Sequence, residues 1–333
     1  MRPDRRTAVR ALGAGLAIAG SALPGARAFA QGTSASFPNR PIRIIVPFGA
    51  GSATDLTTRL LAPRMAQKLG QPVVVENRAG ATGMIGSEAV ARAAPDGYTL
   101  VMGTVASHGT LQALMPNLTY NVLRDFTMIG LATAPPALVV VHPSVPAANL
   151  LELAAYSRSL PAGLTYASSG LGGSGHLATE LLALKTNARF VHVPYKEAGR
   201  AVTDVMAGHA SLMVYYSPVV PHIRSGKLRG LAVLSEKRAA FAPDLPTAIE
   251  QGVPDLVASG WGGLFGPAGL PDPIRDMLFV ALKEAVEEPV IRAQMSDQGQ
   301  DPMVLPPAEF RRFVERDIAK WTEVVKTAGI KLE

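Results

Sequence analysis

Two glycine-rich turns are the parts of this sequence best suited to bind a ligand. The first covers residues 48–55 and the second covers residues 167–176, and each lies between an apolar segment and a helical pattern. Such turns direct backbone N–H groups beyond the edge of a sheet, where they bind anions without a cation. Thr54 or Asp55 could instead serve only as the N-cap of the following helix. We expect the two turns to face one cleft.

Side chains suited to catalysis are few. Ser107-His108 and the pair Ser174 and His176 lie close in sequence, but neither serine occupies the Gly-x-Ser-x-Gly turn that exposes a nucleophile. The histidines are scattered, with no His-Glu-x-x-His motif and no cysteine, so we expect no metal site. A secreted hydrolase remains only an alternative.

The second turn also fits the spacing of a dinucleotide-binding fingerprint. Gly170, Gly172 and Gly175 match Gly-x-Gly-x-x-Gly, and Glu197 lies about twenty residues further on, where a ribose-binding carboxylate is expected. The chain is predicted to be exported, however, and free nicotinamide cofactors are not supplied outside the cell. We therefore expect no cofactor.

Residues 1–30 have the composition of an export signal. Arg5-Arg6 precede an apolar run at 11–23, and Ala28 and Ala30 suggest cleavage after residue 30. The arginine pair suggests the twin-arginine route, although its neighbours fit poorly and general secretion stays open. The apolar run is well short of the roughly 20 residues that span a bilayer as a helix.

The charge of the remaining chain argues against nucleic-acid binding. The formal charge is +6, but the signal segment contributes five Arg and one Asp, which leaves +2 for the rest. Basic residues are interspersed with acidic ones and only 6% of residues are aromatic, so neither a basic stripe nor a stacking platform is present. The absence of cysteine means that stability comes from core burial rather than from disulfides.

Apolar segments alternate with helical patterns before and after Pro135-Pro136. The first series covers 42–103 and the second covers 138–215, which predicts an α/β fold built from βαβ units. Runs such as 44–46 lack polar alternation, so the strands should be covered on both faces in doubly wound, mostly parallel sheets. About 300 residues follow the signal segment in a chain whose hydrophobic content is 48%, which is enough for a large core and favours two lobes.

The distribution of the chain between the lobes can also be predicted. We expect lobe 1 to comprise 37–136 with 232–333 and lobe 2 to comprise 137–231, with strand 228–234 returning the chain to lobe 1. Residues 260–265 should add a strand there, and the rest should be helical. Pro63 removes a backbone donor from the first helix, so a kink or break is expected.

Several segments resemble the Bug family of tripartite tricarboxylate transporter receptors. They lie at 40–48, 51–55, 70–78, 94–100, 176–177, 193–196 and 261–269. Their order and spacing extend through essentially the whole chain after the signal segment, which makes the match specific. The resemblance implies a periplasmic, monomeric, type II binding protein with a ligand cleft between its lobes. Such a receptor delivers a carboxylated solute to membrane permease subunits or, alternatively, signals to a membrane partner, and is not an enzyme.

The resemblance also implies the position of the site. In the family, the two turns hold one carboxylate through backbone N–H groups, hydroxyls and bridging waters, which require no buried arginine. Glu197 replaces a usual small residue, so a monocarboxylate or an amide-bearing solute is a credible ligand. The expected ligand-binding residues are Phe48, Gly49, Gly51, Ser52, Thr54, Asp55, Ser107, His108, Ser168, Ser169, Gly172, Ser174, Gly175, Tyr195, Tyr215 and Ser217.

Overall fold

The computed structural model describes residues 37–115 and 117–331. The predicted export signal and its cleavage point lie outside these residues. The strands are β1 (Ile42–Val46), β2 (Val73–Asn77), β3 (Thr99–Thr104), β4 (Phe126–Thr133), β5 (Leu138–Val141), β6 (Leu164–Ser168), β7 (Phe190–Pro194), β8 (Leu212–Tyr215), β9 (Arg229–Val233), β10 (Gly262–Pro267) and β11 (Pro302–Leu305).

The helices connect and cover these strands. They are α1 (Ala53–Leu69), α2 (Met84–Ala91), α3 (Leu111–Leu114), α4 (Val122–Asp125), α5 (Leu150–Ser159), α6 (Ser174–Thr186), α7 (Ala198–Met206), α8 (Val220–Arg224), α9 (Asp272–Glu287), α10 (Pro289–Asp297) and α11 (Pro307–Thr327). A π-helical turn (Val105–Thr110) precedes α3, and short 3-10 turns (Ala81–Gly83 and Ser217–Val219) precede α2 and α8.

The strands form two sheets, and the predicted α/β class is confirmed. The six-stranded sheet has the order β11-β4-β10-β3-β1-β2, and the five-stranded sheet has the order β7-β6-β8-β5-β9. The predicted βαβ units are present, because β1 pairs in parallel with β2 and β3, and β6 pairs in parallel with β7 and β8. The five pairings that involve β4, β5, β9, β10 or β11 are antiparallel, so the sheets are mixed rather than mostly parallel.

The assignment of strand 228–234 to the first lobe is wrong. The strand observed in this segment is β9. It pairs along its length with β5 and therefore forms an edge of the second sheet. The chain enters this sheet through β5 and leaves it through the adjacent β9, so the two strands run in opposite directions. The lobe boundaries remain a prediction, and this pairing favours an end of the second lobe after Val233. The sequence patterns also missed β4 and β11 in the first sheet.

Two segments of chain pass side by side between the sheets. The Ala137 N–H donates to the Ala258 carbonyl at 3.0 Å, and the Gly260 N–H donates to the Pro135 carbonyl at 2.9 Å. Pro136 and Ser259 form an antiparallel bridge between these hydrogen bonds. The paired segments therefore bring Pro135 and Gly260 into the space between the two sheets.

Helix α1 does not break at Pro63. The 17-residue helix continues through the proline to Leu69 and ends at Gly70, which adopts a left-handed conformation with φ 66°. Leu61, Met65 and Leu69 are buried on its inner side, and tertiary packing of this kind outweighs local helix propensity. The final helix α11 buries residues at three- and four-residue spacing, as its pattern predicts. No helix within 37–115 and 117–331 is both long and apolar enough to cross a membrane.

Candidate functional site

A cavity of about 340 Å³ lies between the two sheets. Residues from both lobes contribute to its wall, and none of these lining residues is Asp, Glu, Lys, Arg or His. The lining residues are Phe48, Ser52, Ala53, Thr54, Thr57, Met102, Thr104, Val105, Ala106, Thr133, Pro135, Ser174, Tyr215, Tyr216, Ser217, Pro218, Gly260, Trp261, Gly262, Gln298, Gly299 and Gln300. The cavity can therefore attract an anion only through neutral dipoles.

The first of these dipoles is the N-terminus of α1. Ser52 is the N-cap, and its side chain accepts a hydrogen bond from the Asp55 N–H at 3.3 Å. Ala53 and Thr54 occupy the first two helical positions, whose N–H groups have no acceptor within a helix. Both residues line the cavity. The positive end of the helix dipole therefore lies at the cavity wall.

Two more helical N-termini reach the same cavity. Ser174 is the first residue of α6, and it lines the cavity from the second lobe. Ala106 lies in the first turn of the π-helical segment, which Thr104 caps by accepting a hydrogen bond from the Ser107 N–H. Three helix N-termini at one cavity are well suited to hold a carboxylate.

Six of the predicted ligand-binding residues line this cavity. They are Phe48, Ser52, Thr54, Ser174, Tyr215 and Ser217. The structure thus brings the first turn, the start of α6 and the end of β8 together in space. Ten of the predicted residues do not line the cavity, namely Gly49, Gly51, Asp55, Ser107, His108, Ser168, Ser169, Gly172, Gly175 and Tyr195.

Asp55 stabilises the first turn instead of lining the cavity. It is only 2% exposed, and its carboxylate accepts hydrogen bonds from the Gly51 N–H at 2.9 Å, Arg59 Nε at 2.9 Å and Asn77 Nδ2 at 2.8 Å. Although burial alone would raise the pKa of Asp55, these hydrogen bonds lower it. The Gly51 N–H therefore donates within the turn, and a contact between Gly51 and the solute stays a prediction. Gly49, in the same turn, is exposed.

The second turn is also closed by internal hydrogen bonds. The Gly172 N–H donates to His176 Nδ1 at 2.9 Å, so it is not directed at a solute as expected. The Ser168 hydroxyl lies 2.6 Å from His192 Nε2 and is nearly inaccessible. Ser169 is exposed to solvent outside the cavity. Of this turn, only Ser174 lines the cavity.

Ser107 and His108 are buried in the core rather than placed in the cleft. Both are 0% exposed, and Ser107 Oγ lies 2.9 Å from His108 Nδ1. The imidazole stacks on Phe265, with ring centroids 4.4 Å apart, and it has an edge contact with Phe126. A serine and histidine that no solute can reach do not form a hydrolytic site. Tyr195 also lies outside the cavity, where burial and a hydrogen bond with Asp204 raise its pKa.

Several cavity residues were not predicted. Trp261 is held by its indole Nε1, which donates to Asp317 Oδ2 at 2.8 Å, and Lys320 Nζ lies 2.8 Å from the other oxygen of that carboxylate. Burial raises the pKa of Tyr216 to about 12, so its hydroxyl remains protonated. For Trp261 the only sequence signal was the family-like segment that begins at this residue. Tyr216 was not among the expected ligand-binding residues, although the sequence places it with Tyr215 and Ser217 at the end of a strand that can line the cleft.

The buried histidines should make stability depend on pH. Burial lowers the pKa of His108 to about 3, and burial followed by the nearby His192 lowers that of His176 to about 4. Between pH 6.5 and those values, only the unfolded chain binds the protons, so the free energy of unfolding falls as pH decreases. From pH 7 to pH 5 we expect a loss of roughly 2 kcal/mol per histidine.

Urea unfolding at several pH values measures this dependence. His108→Gln removes one titrating group and is expected to reduce the slope, while the contributions of His176 and His192, whose pKa values burial also lowers, remain. If the free energy of unfolding is the same at pH 7 and pH 5, the assignment of buried neutral imidazoles is wrong.

The described residues contain no group of three or more His, Cys, Asp or Glu that could hold a metal ion.

The chain is similar to known receptors over most of its length. Residues 57–330 match the family described as "Tripartite tricarboxylate transporter family receptor". Protein BugT of Bordetella pertussis is 37% identical over 320 residues, which cover 96% of this chain and 98% of BugT. This similarity agrees with the resemblance carried by the sequence motifs.

Solved structures of related proteins have the same two-lobed fold. R. palustris Rpa4515 with adipate superposes with a TM-score of 0.75 at 33% identity, covering 89% of this chain and 99% of that one. MatC from Rhodopseudomonas palustris with bound malate superposes with a TM-score of 0.71 at 34% identity, covering 87% and 100%. The chain therefore belongs to the tripartite tricarboxylate transporter receptor family and has the fold of its solute-binding, Bug-type members.

Proposed function

We propose that this protein is a periplasmic receptor that captures a small carboxylate solute in the cavity between its lobes and delivers it to a tripartite transporter permease. It acts as a monomer and does not change the solute chemically. One observation carries the proposal: three helix N-termini reach a cavity whose lining residues include no Asp, Glu, Lys, Arg or His.

The N-termini hold the carboxylate by fixed dipoles. The N–H groups at Ala53 and Thr54 lack intrahelical acceptors, and the Ser52 and Ser174 side chains add hydroxyls to the same wall. The Ser217 hydroxyl instead donates to the Gly299 carbonyl at 2.7 Å. The site is partly enclosed by protein, so these dipoles act more strongly there than they would at a fully exposed surface. A cation is not needed, because the aligned N–H groups already favour negative charge.

The similar proteins support the solute class. The neighbouring structures hold adipate and malate, which are both carboxylates, and the family description names a receptor for a tricarboxylate transporter. The family description and the predicted export signal support the permease partner and the periplasmic location. The transport step can be measured as solute uptake into vesicles that contain the permease, with and without the purified receptor.

A thermal-shift screen tests solute capture directly. The purified chain after the signal segment is mixed with glutarate, adipate, benzoate and 3-hydroxybenzoate, and each acid is matched by its primary amide. A bound acid at 100 times its dissociation constant should stabilise the protein by about 2.7 kcal/mol, whereas the amide should produce little shift. If the amides stabilise the protein as strongly as the acids, capture through the carboxylate is wrong.

A further inference from the structure

A hydrogen bond joins the two lobes directly at the cavity wall. Ser217 follows β8 of the second sheet, and its hydroxyl donates at 2.7 Å to the carbonyl of Gly299, which precedes β11 of the first sheet. Both residues line the cavity. Among the residues that the structure describes, no other hydrogen bond or ion pair links 138–233 with 37–134 or 262–331. The contact therefore exists only while the lobes keep this separation.

The end of α10 presents the Gly299 carbonyl to Ser217. The Gly299 N–H donates to the Ser296 carbonyl and the Gln300 N–H donates to the Met295 carbonyl, both at 2.9 Å. Gly299 has φ 74°, the left-handed conformation in which helices commonly end. The turn uses the N–H groups of both residues and leaves the Gly299 carbonyl as the acceptor for the serine.

The two residues approach so closely that only glycine fits. A Cβ atom at Gly299 would lie 1.9 Å from Ser217 Oγ and 2.8 Å from Ser217 Cβ. The glycine segment is also fixed to the end of β4, because the Thr133 hydroxyl and the Ala134 N–H both donate to the Asp301 carbonyl at 2.9 Å. A side chain at Gly299 would therefore push the serine, and the lobe that carries it, away.

The contact lies in the wall between the solute cavity and a second cavity. The second cavity is lined in part by the exposed residues Ser296 and Asp297. The two cavities share five lining residues, namely Ser217, Pro218, Gln298, Gly299 and Gln300. A solute that leaves through this shared wall must separate the serine from the glycine.

We propose that the Ser217–Gly299 hydrogen bond is a latch that holds the lobes together over the bound solute and slows its release. The inference rests on the proposed function, because the latch acts on the solute captured there. A solute that contacts both lobes favours the arrangement in which they are close, and so does the latch. Loss of the latch lowers the fraction of protein in that arrangement and weakens the apparent affinity in proportion. Ser217 is thus a positioning residue.

Distances between two spin labels test the latch without any solute. The chain contains no cysteine, so Val74→Cys and Val191→Cys can be labelled specifically, on β2 of the first sheet and β7 of the second. In this labelled protein, Ser217→Ala should broaden the distance distribution and add longer distances. Ser225→Ala is the matched control, because its hydroxyl also donates to a carbonyl, that of His222, but within one lobe. It should leave the distribution unchanged.

Stopped-flow fluorescence and calorimetric titration measure retention in the unlabelled protein. The probe is whichever of glutarate, adipate, benzoate and 3-hydroxybenzoate stabilises the natural protein most, and Trp261 in the cavity wall reports its binding. Ser217→Ala should raise the dissociation rate about 2- to 10-fold, the effect of one neutral hydrogen bond, and change the association rate little. Gly299→Ala should weaken binding more than Ser217→Ala, because the added Cβ also drives the lobes apart.

Two further variants distinguish this clash from backbone strain. Gly269→Ala introduces alanine at φ 81° with nothing within 4 Å of its Cβ, so it carries the strain without the clash and should bind the probe normally. Combining Ser217→Gly with Gly299→Ala removes both close atoms and leaves the Ser217 Cα at 4.0 Å. This double variant should bind about as well as Ser217→Ala.

Three outcomes would overturn the inference. The first is that Ser217→Ala leaves either the distance distribution or the dissociation rate unchanged. The second is an equal effect of Ser225→Ala, and the third is that Gly299→Ala binds no more weakly than Gly269→Ala. In each of these cases the probe still binds, so the proposed function survives. If none of the four acids binds to the natural protein, the proposed function fails and the retention role of the latch fails with it.

Discussion

Replacing Gly175 with alanine is expected to weaken solute binding by about 10- to 100-fold. A Cβ atom at Gly175 would lie 2.6 Å from the carbonyl oxygen of Val214 in β8, a distance that backbone atoms cannot tolerate. Helix α6 would have to move away from the sheet at its second residue. The adjacent Ser174 would leave its place in the cavity wall, and loss of one hydrogen bond to a charged group costs about 1.5–3 kcal/mol of binding free energy.

Gly199→Ala provides the matched control for this substitution. Gly199 lies in α7 of the same lobe, and an added Cβ would meet nothing within 4 Å. Alanine there should leave binding unchanged and raise helix stability by about 1 kcal/mol. Dissociation constants for a bound acid, together with melting temperatures, compare the two variants. If Gly175→Ala binds as tightly as the natural protein, α6 does not position the site.

Removing the Asp55 carboxylate is expected to cost about 2–4 kcal/mol of stability and more than 10-fold in solute affinity. The Asp55→Ala substitution leaves three donors without their acceptor, namely the Gly51 N–H, Arg59 Nε and Asn77 Nδ2. Gly51 has φ 80°, a conformation that its turn must maintain. Without these contacts, the N–H groups at the start of α1 are no longer held at the cavity.

Two further substitutions distinguish the loss of the Asp55 hydrogen bonds from the effect of removing any carboxylate. Arg59→Ala removes one of the three donors and should produce a smaller loss than Asp55→Ala. Asp276→Ala removes an exposed carboxylate beside Arg275 and should change stability by less than about 1 kcal/mol. Urea unfolding and calorimetric titration measure both quantities. Equal effects of Asp55→Ala and Asp276→Ala would mean that the buried network does not hold the turn.

Much of the fold could be predicted because the signals are local. The strand and helix at Leu138–Val141 and Leu150–Ser159 have the bounds that their patterns indicate. Apolar runs and turn residues specify such elements without reference to the rest of the chain. Strand β4 was not predicted, because polar and apolar residues do not alternate clearly along it. Its neighbours β10 and β11 are also more than a hundred residues away in sequence.

The site was predicted less completely than the fold. The turn at Ser52 and Thr54 and the helix start at Ser174 reach the cavity, since a strand followed by a glycine-rich turn must end at the edge of a sheet. The sequence could not show that the Gly51 N–H donates to the Asp55 carboxylate, or that the Gly172 N–H donates to His176 Nδ1. Composition alone does not reveal which donors in a turn stay free.

The sequence by itself determined the receptor family, the α/β class and the two helix-start turns, because each depends on the order of residues within short segments. The tertiary structure alone decided that His108 is enclosed by Phe126 and Phe265, and that Trp261 forms part of the cavity. It also decided that the Thr58 hydroxyl donates to the Thr54 carbonyl, whereas the Thr57 hydroxyl has no partner among the described residues. Such choices depend on partners distant in sequence, and local patterns carry no information about them.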